Sequence, residues 1–571
     1  MEQHDSYNAT LPYSTDEVDE QDMLDNIRTR LHGPMKEFFT KYFGDFAPTY
    51  QVDPLSNLAR LSDPSCFLQR FKSSIAHIQQ QNSVRGHWHI IPCHDRSSNG
   101  DASVILTIPP GPLDDASEDG ITWSHVQVIG QVCSQNTTSY QDGLVRLCQG
   151  ANSIFFAQPT RRFTHGFYVR HSAVEFWVID RSGLYCSPLL DLTIDWPKFL
   201  SAMCHYQHMT DSQLGRCSLV QTDDAGTYVV LPSSLKKLYI EEKPLALRQG
   251  IVGHGMSCFR ARLSDSSSDW DSVLKFKWRW VQAEPEDKLL RLAKDRNAWG
   301  AIWVDYYDEV ESTSDLRAGM RWGPHKELIP ATMGVNHGLS AHSVETDDYF
   351  QSRALSMTVT SPLGRPLDTF RNIAELLEVF RDAIKCHRSL LVDAKILHQD
   401  ISPGNIIILD DQDKSRPRGI LIDLDSAILV DKEFEPERGI TGTRPFMAIG
   451  VLRSEPHTYR HDLESFFYAF LWSIITNHRD SPPETSRLRQ WSNADWSELA
   501  DRKASDVMPD RFQAILHEFP PEFHPLRPLA EQLRQLLFPN GEDGIVTDNR
   551  HFDGAAERLY DKIIAALDGA A

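Results

Sequence analysis

The chain has 571 residues, 41% of them hydrophobic and 24% charged, with a formal net charge of −21. Its length suits roughly two to four domains with sizeable cores. The acidic balance argues against a broad nucleic-acid or anionic-membrane surface, and apolar stretches such as 469–475 fall far short of the roughly 20 residues a membrane helix requires.

Residues 1–22 are polar and acidic and predict a flexible tail. Met1–Asp5 carries neither the positive region nor the apolar core of a secretory signal, which points to the cytoplasm or nucleus. Nine cysteines without C-x-x-C pairs suit free thiols in a reducing compartment. Cys204, His205 and His208 have no second ligand pair at zinc spacing and are read as structural. From Met23 to Phe46, Leu24, Ile27, Leu31, Met35, Phe38 and Phe39 recur at helical spacing. Short strands follow: 88–91, 103–108, 126–129, 167–169 and 174–180, separated by turn signals at 109–111 and 181–183. Residues 23–240 thus read as helical and then β-rich, a structural or partner-binding region without a catalytic set.

From about 245 the order is strands, a helix, strands and then mostly helix. The turn Val252-Gly253-His254-Gly255-Met256 has glycines that let backbone N–H groups approach phosphates, although Cys258 stands where a third glycine would complete the pattern. In the strand 272–278, Lys275 and Lys277 share a face. Lys275 is the preferred phosphate ligand because Val273-Leu274-Lys275 resembles the apolar-apolar-Lys strand of kinases, with Lys277 the runner-up. Glu286 opens a helix with Leu289, Leu290 and Ala293 as its apolar stripe. It is the preferred carboxylate partner of Lys275, with Glu284 as the alternative. Residues 309–348, rich in Ser, Gly, Thr and charge, predict a long loop. Residues 370–391 carry a helical stripe that leads to His398.

The chemistry concentrates in His398-Gln399-Asp400-Ile401-Ser402-Pro403-Gly404-Asn405, followed by Leu421-Ile422-Asp423-Leu424-Asp425. Phosphoryl transfer needs one carboxylate to orient the attacking hydroxyl, and an amide oxygen plus a second carboxylate to hold magnesium on the nucleotide phosphates. Asp400, Asn405 and Asp423 supply that set, in an order similar to the catalytic and metal-binding loops of the protein-kinase superfamily. Gly442-Thr443-Arg444-Pro445-Phe446-Met447-Ala448 resembles the substrate-side end of an activation segment, which puts Thr443 beside Asp400. His461-Asp462-Leu463-Glu464-Ser465 resembles the start of the large kinase C-lobe helix, which implies that Asp462 is buried and bonded to the catalytic-loop backbone, an exposed carboxylate at a helix N-terminus being the alternative.

Together with 461–468 and the upstream strings 162–166 and 177–183, these motifs resemble the fungal-type protein kinase-like family. The resemblance implies an α+β, bilobal protein-kinase-like fold with a β-rich N-lobe and a helical C-lobe. Its expected boundaries are a tail at 1–22, an N-terminal region at 23–240, an N-lobe at 245–365 with the 309–348 insertion, a C-lobe at 366–540, and a C-terminal helix and tail at 541–571. It implies an ATP- and Mg2+-dependent transferase acting on Ser or Thr of a protein substrate, with no nucleic-acid or membrane partner and an N-terminal region open to a regulatory partner. The nucleotide hinge is expected at 361–364. A pseudokinase scaffold and an aminoglycoside phosphotransferase-like small-molecule kinase are the alternatives.

Several positions depart from the kinase pattern. Gln399 replaces the usual Arg, which argues against activation by loop phosphorylation. Ser402 replaces the Lys that steadies the γ-phosphate, so some charge stabilisation is either missing or supplied by another group. Asp425 replaces the glycine after Asp423. Ile449-Gly450 replaces the Pro-Glu that anchors the activation segment, which predicts a mobile segment.

Overall fold

The computed structural model describes residues 20–44, 63–81, 84–93, 101–108, 122–134, 138–248, 250–263, 270–322, 325–328, 350–410, 416–430, 441–493, 496–539 and 554–570. It is a mixed α/β protein that divides into two units. One comprises 1–269, 274–283 and 308–357, the other 270–273, 284–307 and 358–571.

The first unit contains an eight-stranded sheet. Its strands run in the order Leu31–His32, Gly183–Cys186, Ala173–Asp180, Phe163–Arg170, Val126–Cys133, Ala102–Thr107 and His87–Pro92, with Leu190–Asp191 beside Ala173–Asp180. The five strands read from the sequence are all present, but the region is a three-layer α/β arrangement rather than merely β-rich. Val126–Cys133 and Phe163–Arg170 pair in parallel, which demands a crossover, and the helix Tyr140–Ala157 supplies it. Side chains alternate between two cores: Val104, Leu106, Phe167 and Phe176 face one, while Ile105, Tyr168, Trp177 and Ile179 face the other. A Cβ on Gly150 would lie 2.0 Å from Ile129 Cδ1, so any larger residue would have to push the Ile129 side chain aside.

The single helix expected from Met23 to Phe46 is instead two helices, Glu20–Arg28 and Phe38–Phe43, with the edge strand Leu31–His32 between them. The first already includes residues assigned to the tail. Gly33, at φ +124°, and Pro34 interrupt the helix by their backbone preferences. The interruption sends Met23, Leu24, Ile27 and Leu31 to one face of the sheet and Met35 and Phe38 to the other.

A second sheet runs Trp303–Ser312, Arg353–Ser361, Ser272–Trp280, Ser257–Leu263, Lys237–Ile240, Gly226–Val230 and Val220–Asp223. Three of these strands contain a boundary between the units, at 273/274, 307/308 and 357/358. The stretch expected as a loop from 309 begins as strand and continues as the helix Thr313–Leu316, capped by Ser312 and Asp315. Residues 323–324 and 329–349, the rest of that expectation apart from 325–328, lie outside the described residues. Arg317 donates to both oxygens of Asp180 at 2.7 Å, with both side chains fully buried.

The second unit is mainly helical. Ile373–Val392, Tyr459–Thr476, Arg527–Leu537 and Gly554–Ala570 share one core, to which Glu286–Asp295 contributes the expected stripe of Leu289, Leu290 and Ala293. Asn372 caps the first of these helices by accepting from Glu375 N, which starts it close to the predicted boundary. Among the described residues, no helix is long and apolar enough to cross a membrane.

Candidate active site

In the second unit a short hairpin carries the central residues. Ile406–Ile408 pairs antiparallel with Gly419–Leu421, Ile406 opposite Leu421. These apolar residues are largely buried, and the pairing continues as Ile422 N donates to Asn405 O at 3.0 Å. Asn405 and Asp423 therefore leave the same end of the hairpin. Asn405 Nδ2 donates to the Asp400 carbonyl at 2.8 Å, which leaves its Oδ1 as the oxygen that could hold a cation.

The loop 398–402 is held from beneath. His398 is fully buried. Its Nδ1 accepts from Asp400 N at 3.3 Å and its Nε2 lies 3.2 Å from Ile422 O. Burial lowers its pKa, against the opposing pull of Asp462, and the neutral ring with hydrogen on Nε2 satisfies both contacts. Gln399 occupies a left-handed backbone conformation at φ +65°, and its N–H donates to Asp462 Oδ2 at 3.2 Å. Asp462 is thus the buried backbone acceptor anticipated from the sequence. Burial pushes its pKa up, but His457 and His387 outweigh that and hold it well below the carboxylate range.

Asp400 and Thr443 meet directly. Thr443 N and Oγ1 both donate to Asp400 Oδ1, at 2.8 and 2.7 Å. Ser402 is buried and its carbonyl accepts from Asn405 N, so it serves the turn that presents Asn405. Asp423 also sits in left-handed backbone, at φ +67°. The ligating oxygens of Glu286, Asp423 and Asp425 all lie within 4.8 Å of one another. The sequence assigns neither Asp425 nor Glu286 to a metal: Asp425 stands in the 421–425 motif at the glycine position, and Glu286 is expected as the partner of Lys275. Carboxylate and amide oxygens are the donors magnesium takes, so these residues fit that ion.

Residues 447–449 are anchored, whereas the missing Pro-Glu predicts mobility there. Fully buried Glu464 accepts from Ile449 N and from Tyr468 OH, each at 2.7 Å, and pairs with Arg460 at 3.1 Å. Lys503, also fully buried, donates to Met447 O at 2.7 Å and stands over the Tyr468 and Trp491 rings. A Cβ on Gly450 would lie 2.5 Å from His461 Nε2 and 2.6 Å from a Glu455 oxygen, so a larger residue there would have to displace those side chains. A different buried carboxylate thus takes over the anchoring role, from a helix sequence patterns did not connect to this segment.

In the first unit, Lys275 lies half-buried on Ser272–Trp280, and Lys277 is buried on the same strand. The glycine turn closes a hairpin in which Arg248 N donates to Met256 O, with Gly253 at φ +122° and Gly255 at φ +46°. A looser cover was one reading of its glycine count, yet the turn is pinned. Arg181 Nη1 donates to Gly250 O at 2.5 Å, Gly253 N donates to Arg181 O, and Asn152 Oδ1 accepts from Gly250 N. A Cβ on Gly255 would come within 2.6 Å of Arg181 Nε. Burial lowers the Arg181 pKa to about 9, and its guanidinium lies 4.0 Å from the Phe155 ring centre. In the sequence Arg181 lies in the turn at 181–183 and in the family-like string 177–183, neither of which signals its contact with the glycine turn.

No curated protein matches the chain. A family model described as fungal protein kinase matches residues 110–474, a span holding the Arg181 clamp, the glycine turn, Lys275, the hairpin with Asp400, Asn405 and Asp423, and the anchored Thr443 segment. The chain belongs to the fungal protein kinase family.

Proposed function

We propose that the protein is an ATP-dependent protein kinase that transfers the γ-phosphate of Mg-ATP to Ser or Thr hydroxyls of a protein substrate, with 245–365 and 366–540 as its two lobes. The observation that carries this reading is the pairing of Asp400 with Thr443 at the mouth of the hairpin bearing Asn405 and Asp423.

In this reading Asp400 aligns the acceptor hydroxyl and takes its proton. Asn405 Oδ1 and Asp423 hold magnesium, while Lys275 and the backbone of the turn at Gly253 and Gly255 orient the phosphates. Magnesium, when bound, supplies neutralisation of charge on the phosphoryl oxygens. Glu286 joins Asp423 at the metal side, within reach of its oxygens, as well as standing as the candidate partner of Lys275. A protein acceptor is favoured over a small molecule by the segment 442–449, tied down through Glu464 and Lys503, because a fixed ledge next to the base suits an extended peptide.

The test is transfer of labelled γ-phosphate from Mg-ATP to the protein itself and to generic protein acceptors, comparing wild type with Asp400→Ala. Label on Ser or Thr in the wild type alone supports the reading. A folded wild type that binds nucleotide yet transfers no label to protein overturns it.

A further inference from the structure

The helix Gly554–Ala570 lies beyond the residues matched by the family model, which end at 474. It is nevertheless built into the core of the second unit. Ala556, Leu559, Tyr560, Ile563, Ala566 and Leu567 are buried at spacings of three and four, the stripe of a helix packed on one face. Tyr560 is fully buried, and its hydroxyl has a specific partner. Tyr560 OH lies 2.7 Å from His387 Nδ1, and His387 Nε2 lies 2.8 Å from Asp462 Oδ2. That same Asp462 oxygen accepts the Gln399 N–H, and Gln399 directly precedes Asp400.

The direction of these bonds follows from the groups. Asp462 is ionised and can only accept, so His387 donates from Nε2. Burial and the charge of Asp462 push the Tyr560 phenol well above its usual pKa, so the phenol keeps its proton and donates to Nδ1. Asp462 Oδ1 takes a further bond from His457 Nε2 at 2.7 Å. The carboxylate is therefore gripped at both oxygens, and its aim at Gln399 N–H depends on where the His387 ring stands. That ring is held at Nε2 by Asp462 and at Nδ1 by the tyrosine.

We infer that Tyr560 is a positioning residue for phosphoryl transfer: through His387 and Asp462 it fixes the backbone of Gln399 and hence the placement of Asp400. This rests on the kinase reading only for its effect on turnover; the mechanical link to the loop stands apart from it. Gln399 occupies left-handed backbone at φ +65°, a conformation that a non-glycine residue keeps only when its surroundings enforce it. A tether at its N–H is therefore consequential. The C-terminal helix, though outside the family match, becomes part of the working catalytic unit.

The experiment uses the full chain with Tyr560→Phe, which removes one oxygen and keeps the ring. Three quantities are measured: amide hydrogen exchange of peptides covering 396–401 and 554–570, thermal unfolding, and kcat and KM for Mg-ATP with a generic protein acceptor. The expected result is exchange at 396–401 faster by about tenfold and kcat lower by about tenfold, the scale of a slight misplacement of a reacting group. Exchange across 554–570 and KM for ATP stay unchanged. Asp561→Asn, which loses only the neighbouring ion pair with Arg388, should leave all of these as in the wild type. Unchanged exchange at 396–401 in Tyr560→Phe overturns the inference. So does an increase that spreads through 554–570 with a lower unfolding temperature, because that marks a packing role alone. If Tyr560→Phe does not fold, His387→Gln breaks the same chain at its middle and is held to the same criteria. A wild type without phosphotransfer would sink the kinase reading, while the exchange data would still decide the link.

Discussion

The Thr443 hydroxyl and its backbone N–H converge on one oxygen of Asp400, at 2.7 and 2.8 Å. Two donors on Oδ1 orient the carboxylate, and in the proposed kinase reading Oδ2 receives the substrate proton. Thr443→Ala removes one donor and leaves the backbone bond, so the carboxylate is less well aimed. Turnover should fall roughly tenfold, as expected for slight misplacement of a catalytic group. Stability should change by less than about 1 kcal/mol, the net worth of one hydrogen bond. Thr443→Ser restores the hydroxyl and should recover most of the rate; steady-state kinetics and denaturant unfolding of the three proteins check this.

Asp423 stands with Glu286 and Asp425 in a group of carboxylates whose oxygens lie within 4.8 Å of one another. Like charges so close repel, and a divalent cation relieves the repulsion. Magnesium should raise the unfolding temperature more than sodium chloride at matched ionic strength. At a concentration about one hundred times its dissociation constant, the ion should add about 2.7 kcal/mol. Asp423→Asn removes a charged ligand and should abolish most of this increment. Equal responses of wild type and variant to magnesium would remove Asp423 from the metal assignment.

Glu464 is fully buried and joins Ile449 N, Tyr468 OH and Arg460. Glu464→Gln leaves the Arg460 guanidinium in the core without its counter-charge. Breaking a buried pair in this way costs about 3–5 kcal/mol. The anchoring of 447–449 should weaken with it, so limited proteolysis should open the segment near Arg444 or Arg453 at temperatures where the wild type resists. Chemical denaturation gives the stability loss, and a loss below about 1 kcal/mol would contradict the anchoring role.

How far the sequence revealed this arrangement depended on the range of the interaction. Asp400, Asn405 and Asp423 lie within a short stretch whose loop-and-hairpin spacing is itself the signal, and Thr443 came from an equally local pattern. The stripe of Leu289, Leu290 and Ala293 was visible for the same reason. Glu464 and Lys503 meet the segment at Ile449 and Met447 only after the helices fold together, so no local pattern linked them. Arg181 reaches Gly250 across 69 residues, and Tyr560 reaches His387 across 173. The crossover helix Tyr140–Ala157 was missed because it carries Gly143, Gly150, Asn152 and Ser153 on buried positions, which blurs an apolar periodicity. There the tight contact with Ile129 overrides helix propensity.

Acid sensitivity offers the last prediction. His461 Nδ1 accepts from Thr458 N at 3.0 Å, the third helical residue reaching back to the cap. Burial, reinforced by His457 and Arg460 against the opposing Asp462, lowers its pKa to about 3; its other nitrogen lies 3.8 Å from the exposed Glu455 carboxylate. Unfolded, the ring titrates near its ordinary value of about 6.5. Between those two values the unfolded chain holds a proton that the folded chain does not, so stability rises with pH across that window and falls on acidification. The slope contributed is at most about 1.4 kcal/mol per pH unit. His461→Gln keeps an acceptor at the capping position and cannot titrate. It should therefore match the wild type near pH 7.5 and lose less stability by pH 4.5. Asp462 does not confuse the comparison, because its depressed pKa makes it lose stability only below the ordinary carboxylate range, near pH 4. Buried His165, also lowered to about 3 by burial, acts with the same sign in both proteins and cancels in the difference. Parallel stability curves for wild type and His461→Gln between pH 7.5 and 4.5 would show that His461 is not an acid-sensitive point of this helix cap.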